Sequence, residues 1–278
     1  MTRPASDASF TTDVAEFYES TLVPLIFRPY AHDLAERTRS LAPSSVLEIA
    51  CGTGVVTREL ARVLPERCTI VATDLNDAMV EHGEQVGTTR PVIWRQADLM
   101  ALPYAEESFE VVVCQFAVMF FQDRMAAYRE IRRVLRPGGA FLFNVWNSIE
   151  QNEFADVVTE AVGTLYPEDP PLFLARTPHG YGSPAEIHAD LEGAGFGTCA
   201  VIQRDDVSVA AAPDLPALAY CQGTPLRNEI LARDPEGLER ATAVAAEALR
   251  SRFGEGQIEG RISGAIVVAR TGGRDSGL

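Results

Sequence analysis

SVLEIACGTGVVTREL, residues 45–60, decides the fold of this chain. Val46, Leu47, Ile49 and Ala50 form a short apolar run of the kind found in a strand buried on both faces of a sheet. Cys51, Gly52, Thr53 and Gly54 interrupt it. From Val55 to Leu64 the apolar residues Val56, Leu60, Val63 and Leu64 return at helical spacing. The order is strand, glycine turn, helix. Such a turn lets a ligand approach bare backbone, and the helix beyond it points free N–H groups at that ligand. A second strand-like run, Cys68 to Thr73, ends in Asp74, twenty residues after Gly54. A carboxylate there can accept hydrogen bonds from both hydroxyls of a ribose.

Two ligand classes compete for this turn. A dinucleotide fingerprint needs G-x-G-x-x-G, and Gly52 and Gly54 supply only the first pair, because Thr57 stands at the third position. The run Glu48-Ile49-Ala50-Cys51-Gly52-Thr53-Gly54 instead resembles motif I of class I S-adenosylmethionine-dependent methyltransferases, E/D-x-G-x-G-x-G, with Ala50 in place of the first glycine. The strands that follow carry companions in the expected order. Gln96-Ala97-Asp98-Leu99-Met100-Ala101-Leu102-Pro103 resembles a further motif of that family. There the acid bonds the adenine amino group and the leucine N–H meets the ring; Asp98 is an acceptor-only side chain suited to that amine. The same acid could instead cap the turn that follows. Leu135-Arg136-Pro137-Gly138-Gly139 resembles the family's turn into its fifth strand. The resemblance covers Val46 to Val145 densely and is nearest to the small-molecule, ubiquinone/menaquinone-methyltransferase-like group.

The resemblance implies S-adenosyl-L-methionine as cofactor. It places Glu48, Ala50, Cys51, Gly52, Gly54, Asp74, Ala97, Asp98 and Leu99 around it, and puts Gln115 and Phe116, just past the fourth strand, near the methyl group. Gln115, polar at the end of a buried strand, needs a partner, either the ligand or a neighbouring backbone group. Leu75 and Met79 could sandwich the adenine, or Met79 could be core. Tyr18, on an N-terminal helical arm, is either a core anchor or a lid over the cofactor's amino-acid end, as in similar enzymes.

Composition narrows the alternatives. The 278 residues suffice for a full core, with 46% hydrophobic residues. A formal net charge of −15 argues against nucleic acid as partner, whose phosphates need a basic footprint. All 24 basic residues are arginine, which excludes a Walker-type phosphate loop and a lysine Schiff base. The five scattered cysteines suggest reduced thiols in a cytoplasmic protein rather than a disulfide scaffold. No His-x-x-x-His pair suggests a metal site. Neither a membrane span nor a signal peptide is visible, so no membrane partner is expected.

The expected fold is α/β: a Rossmann-like, seven-stranded, mostly parallel sheet with an antiparallel edge hairpin, helices on both faces, and a helical cap. Residues 1–40 form the arm, with Met1 to about Asp13 loose and two helices broken between Pro24 and Pro29. Residues 41–278 form the methyltransferase domain, with cap insertions at about 147–182 and 210–257. The expected reaction is methyl transfer to oxygen or nitrogen of a small, partly apolar acceptor, by a monomer or homodimer. His179, between Pro178 and Gly180, is the candidate base; Phe120, Phe173, Tyr181 and Tyr220 are candidates for holding the acceptor. The rivals are an NAD(P)-dependent oxidoreductase and a non-catalytic S-adenosylmethionine-binding protein.

Overall fold

A computed structural model describes residues 16–273. The expectation of a loose Met1–Asp13 segment falls outside them. The arm is not two broken helices. A π-helical coil, Tyr18–Phe27, holds Pro24 inside it and runs straight into α1 (Arg28–Ser40), whose first turn holds Pro29. Proline breaks an α-helix because its ring meets the carbonyl four residues back. The wider i→i+5 coil removes that clash, and the Arg28 N–H reaches the Val23 carbonyl.

Then follow β1 (Ser45–Ile49), α2 (Val55–Val63), β2 (Thr69–Asp74), α3 (Asp77–Val86), β3 (Ile93–Gln96), β4 (Phe109–Gln115) and α4 (Arg124–Val134). β5 (Leu135–Trp146) carries the Pro137–Gly139 turn as an irregularity, with Gly138 at φ +77°. α5 (Glu153–Gly163), the single turn α6 (Phe173–Arg176) and α7 (Pro184–Gly193) lead to β6 (Thr198–Ala210). α8 (Asp214–Gly223), α9 (Leu226–Arg233) and α10 (Leu238–Phe253) intervene before β7 (Ile258–Arg270). Short polar side chains start three of the helices: Asn76, Asp123 and Ser183 each accept from a backbone N–H of the first turn.

The seven strands lie in the order β3-β2-β1-β4-β5-β7-β6; β1 to β5 are parallel, and β7 runs antiparallel to both its neighbours, β5 and the edge strand β6. Side-chain alternation divides the core. Val46, Val111, Val113, Leu142 and Ile266 face α1 and α2, whereas Leu47, Val112, Phe141, Phe143 and Val267 belong to the larger cluster on the other face. The strand order reverses between β1 and β4. Ligands in open α/β sheets bind at that point, beyond the carboxyl ends of the strands.

Candidate functional site

A cavity of about 550 Å³ opens there. It collects the last residues of β1 and β2, the residues just past β3, and the ends of β4 and β5, and the arm, the α6 loop and the α8–α9 corner close over it.

At one end stands Asp74. Its Oδ2 accepts the Gly52 N–H at 2.8 Å and its Oδ1 the Asn76 N–H at 2.9 Å. Each carboxylate oxygen keeps a second lone pair for a ligand hydroxyl. Burial raises its carboxyl pKa, and the backbone N–H groups of Asn76, Gly52 and Leu75 oppose that rise. Gly52, at φ +53°, lines the cavity, and a Cβ added there would meet nothing within 4 Å. Leu75, 58% exposed, and Met79, 4% exposed, line this end as well. Asp98 lines the wall with Ala97 and Leu99, and its Oδ1 accepts the Met100 N–H at 2.8 Å, so the same carboxylate both caps a turn and faces the cavity. Tyr18 also lines this end. Burial first, then the charges of Asp74 and Glu19, keep its phenol protonated and therefore able to donate.

The glycine turn divides its work in a way its letters do not show. Gly54, at φ +86°, does not line the cavity: the space beside its Cα is filled by the Trp94 indole, which also leaves no room for a Cβ at Gly83. Its role is to let α2 close on a tryptophan. Glu48 lies beneath the turn and off the cavity wall, 2% exposed, accepting the Thr57 hydroxyl at 2.6 Å. Burial pushes its carboxyl up to about 8, opposed by that hydrogen bond and by Arg58. The threonine at the third glycine position is thus the partner of a buried acid. Cys51 is likewise buried away from the wall. Ala50 does line it, at φ +51°, a left-handed backbone that costs an L-residue roughly 1–2 kcal/mol.

The other end is an apolar chamber. Phe116, itself at φ +49°, stacks on Trp146 with ring centroids 3.7 Å apart and planes 4° from parallel. Strain in a bulky residue at a strand end is characteristic of a site whose surroundings fix it. Gln115 finds protein partners: its Nε2 donates to the Phe27 carbonyl at 3.4 Å and its Oε1 accepts from Asn144 at 3.3 Å. Phe120 and Phe173 line the chamber with centroids 6.3 Å apart, and Tyr220 enters from α8.

Tyr181 is not on the wall. It is fully buried under the ring-facing guanidinium of Arg124, with its hydroxyl between Tyr128 (3.2 Å) and Asp190 (2.9 Å). Two residues from His179, it turns away from the cavity and belongs to the core. His179 lines the cavity, and its Nδ1–H donates to the Asn147 carbonyl at 2.9 Å. A carbonyl only accepts, so that bond fixes the tautomer and leaves a lone pair on Nε2. Asn147 is held in turn by Ser263 Oγ at 2.8 Å and Gln203 Oε1 at 2.7 Å. Burial lowers the imidazole to about 4.

The wall also takes Leu22, Ile26 and Phe27 from the arm, Trp146 from β5, and Asn152, none of which the sequence had nominated. The arm residues recur four and five apart, a spacing that one-sided burial of a coil would have suggested.

Residues 47–143 match the family described as "Methyltransferase domain". Over those residues the chain is similar to a methyltransferase domain. The chain is 33% identical over 102 residues to a ubiquinone/menaquinone biosynthesis C-methyltransferase UbiE of Klebsiella pneumoniae, a match spanning 35% of this chain and 41% of that protein. It is 33% identical over 109 residues to a malonyl-[acyl-carrier protein] O-methyltransferase of Hahella chejuensis, spanning 39% of each. The chain therefore matches about two fifths of the length of these relatives, and one is named for carbon and the other for oxygen. The crystal structure of the YcgJ protein of Bacillus subtilis shares the fold, with a TM-score of 0.56 and 17% identity, covering 87% of this chain and 99% of that one. The matched residues include Gly52, Asp74, Leu75, Met79 and Asp98 of the cavity wall, but not Tyr18. The α6 loop and the α8–α9 corner lie beyond the matched residues.

Among the described residues no group of histidine, cysteine and acidic side chains could hold a metal ion, and no helix is long and apolar enough to cross a membrane.

Proposed function

We propose that this protein transfers a methyl group from S-adenosyl-L-methionine to an oxygen or nitrogen of a small, partly apolar metabolite. The observation that carries this reading is the division of one cavity. Asp74, Gly52, Leu75, Met79 and Asp98 fit an adenosine at one end, and the other end is an aromatic chamber holding one imidazole with a free Nε2 lone pair. The residues fit the cofactor by their chemistry. Asp74 has two unfilled acceptor positions for a ribose, Gly52 leaves open space where a side chain would stand, and Leu75 and Met79 offer apolar contact to a flat base.

When bound, S-adenosylmethionine supplies a methyl on a sulfonium, which departs as a neutral thioether while the acceptor's lone pair forms the new bond. The protein's part is to align the acceptor and exclude water. Trp146, Phe116 and Phe120 line the chamber with apolar rings. His179 is neutral at pH 7, because burial holds it near about 4. Its Nε2 can therefore take the proton that a hydroxyl acceptor loses on methylation. With so low a basicity it does so as the acceptor atom gains the methyl, when that proton has become strongly acidic. The Nδ1–H bond to Asn147 holds the ring in the accepting tautomer throughout.

The test is transfer of radiolabelled methyl from S-adenosylmethionine into metabolite extracts, alongside calorimetric titration with S-adenosylhomocysteine. Product should carry the label, and His179→Ala should lower its rate by about 100-fold or more, the lower range for a general base, while weakening cofactor binding far less. Absence of binding by both donor and product would overturn the proposal. Full activity of His179→Ala would remove the base but leave the transfer.

A further inference from the structure

The acceptor end of the cavity has a chemical signature of its own. The protein carries 24 arginines, yet among the described residues no arginine lines the cavity; the charged residues on its wall are the carboxylates Asp74, Asp98 and Asp123. A phosphate or carboxylate seated in the aromatic chamber would lose its hydration and find no arginine on the wall to pair with. His179 offers no help to an anion, being neutral.

The second observation is Tyr220. It is 5% exposed, from the inner face of α8, and lines the chamber. Some tyrosine hydroxyls have protein partners: Tyr30 donates to the Arg204 carbonyl at 3.0 Å, and Tyr128 and Tyr181 pair with each other; those of Tyr104 and Tyr166 are buried without one, but neither lines the cavity. The Tyr220 hydroxyl has no such partner among the described residues, and burial alone raises its pKa, with no neighbouring charge or hydrogen bond contributing. Tyr220 lines the open cavity, so a molecule that fills this chamber and covers its O–H gains by bringing an acceptor, since an O–H covered without one is costly. His179, with a lone pair on Nε2, asks for the opposite group, a donor.

We infer that the acceptor is an uncharged molecule with a flat apolar body, a hydroxyl or N–H for His179, and a separate carbonyl-type oxygen that receives the Tyr220 O–H. Tyr220 is then a specificity residue that touches the acceptor away from the reacting atom. This inference rests on the methyltransferase reading for the direction in which the acceptor faces. It stands apart from that reading in what it says of charge.

Three bicyclic probes separate the contributions: 6-hydroxy-1-tetralone, with hydroxyl and ketone; 5,6,7,8-tetrahydro-2-naphthol, which lacks the ketone; and 6-hydroxy-1-naphthoate, an anion of similar size. Their dissociation constants are measured on the full chain saturated with S-adenosylhomocysteine, and by thermal shift on the chain alone. The tetralone should bind about ten-fold more tightly than the tetrahydronaphthol, a gain on the scale of one hydrogen bond, and the naphthoate more weakly than both. Tyr220→Phe should cost the tetralone that ten-fold and leave the tetrahydronaphthol within two-fold. A naphthoate that binds as well as the tetralone overturns the inference, as does a Tyr220→Phe effect equal on both neutral probes, or failure of all three to bind at millimolar concentration. If S-adenosylhomocysteine itself does not bind, the methyltransferase reading fails, and the thermal-shift arm still decides the charge preference.

Discussion

Asp74→Asn is the most informative single change, because it keeps the shape of the side chain and alters only what its two ends can do. The carboxylate accepts from Gly52 N–H and Asn76 N–H, one at each oxygen. An amide turns one oxygen into a donor, which must then face one of those two N–H groups. On the protein side a buried N–H loses its partner, at a cost of about 1–3 kcal/mol, reduced by any relaxation of the turn. On the ligand side one of two charge-assisted acceptors for the ribose is gone, worth about 1.5–3 kcal/mol. That converts to roughly a 10- to 150-fold rise in the dissociation constant of S-adenosylhomocysteine. Titration calorimetry reads the affinity, and a circular-dichroism melt on the same sample separates a loosened turn from a lost contact. An affinity within three-fold of the unaltered protein, with the melt preserved, would refute the ribose assignment and the argument built on the free lone pairs.

Two further changes test the turn itself. Glu48 has a native pKa of about 8, above its ordinary value of 4.5, so the folded state holds more protons than the unfolded state between those limits. Its contribution to stability is whole below pH 4.5 and is lost as pH rises through 8; Glu48→Gln should flatten that part of the stability-against-pH curve in urea titrations, and an unchanged slope would show that the acid is not buried as described. Gly54→Ala places a Cβ against Trp94 at a residue with φ +86°, so it should lower stability by about 2 kcal/mol or more in the same urea titration. A Gly54→Ala protein as stable as the unaltered one would mean the indole has another place to go.

The mostly parallel sheet, its edge hairpin and the helical insertion between the last two strands were legible in the sequence, because each rests on a local pattern: buried runs ending in a glycine or an acid, and apolar spacing from Leu238 to Phe253. Asp74, Asp98 and Gly52 could be picked out as wall residues for the same reason, each standing just at or beyond the carboxyl end of a strand. What was not legible depends on packing between distant segments. Nothing near Gly54 announces Trp94, forty residues on. Nothing around Tyr181 shows that Arg124 covers its ring, whereas His179, two residues earlier, turns inward. Pro24 reads as a helix breaker in any window and is tolerated only because the coil around it is wide.

That coil has a consequence for how the two occupants of the cavity influence each other. Tyr18 at its start lines the same cavity as Asp74, and Leu22, Ile26 and Phe27 line it with the aromatic chamber. Glu19 ties it to the glycine turn through Arg58 and the Thr53 hydroxyl, each at 2.5 Å, and the Leu25 carbonyl ties it to Ser208 of β6 at 2.8 Å. A single stiff segment thus forms a wall common to both ends. Whichever guest arrives first and steadies that wall makes seating the second cheaper, and thermodynamic reciprocity requires the favour to be returned in equal measure.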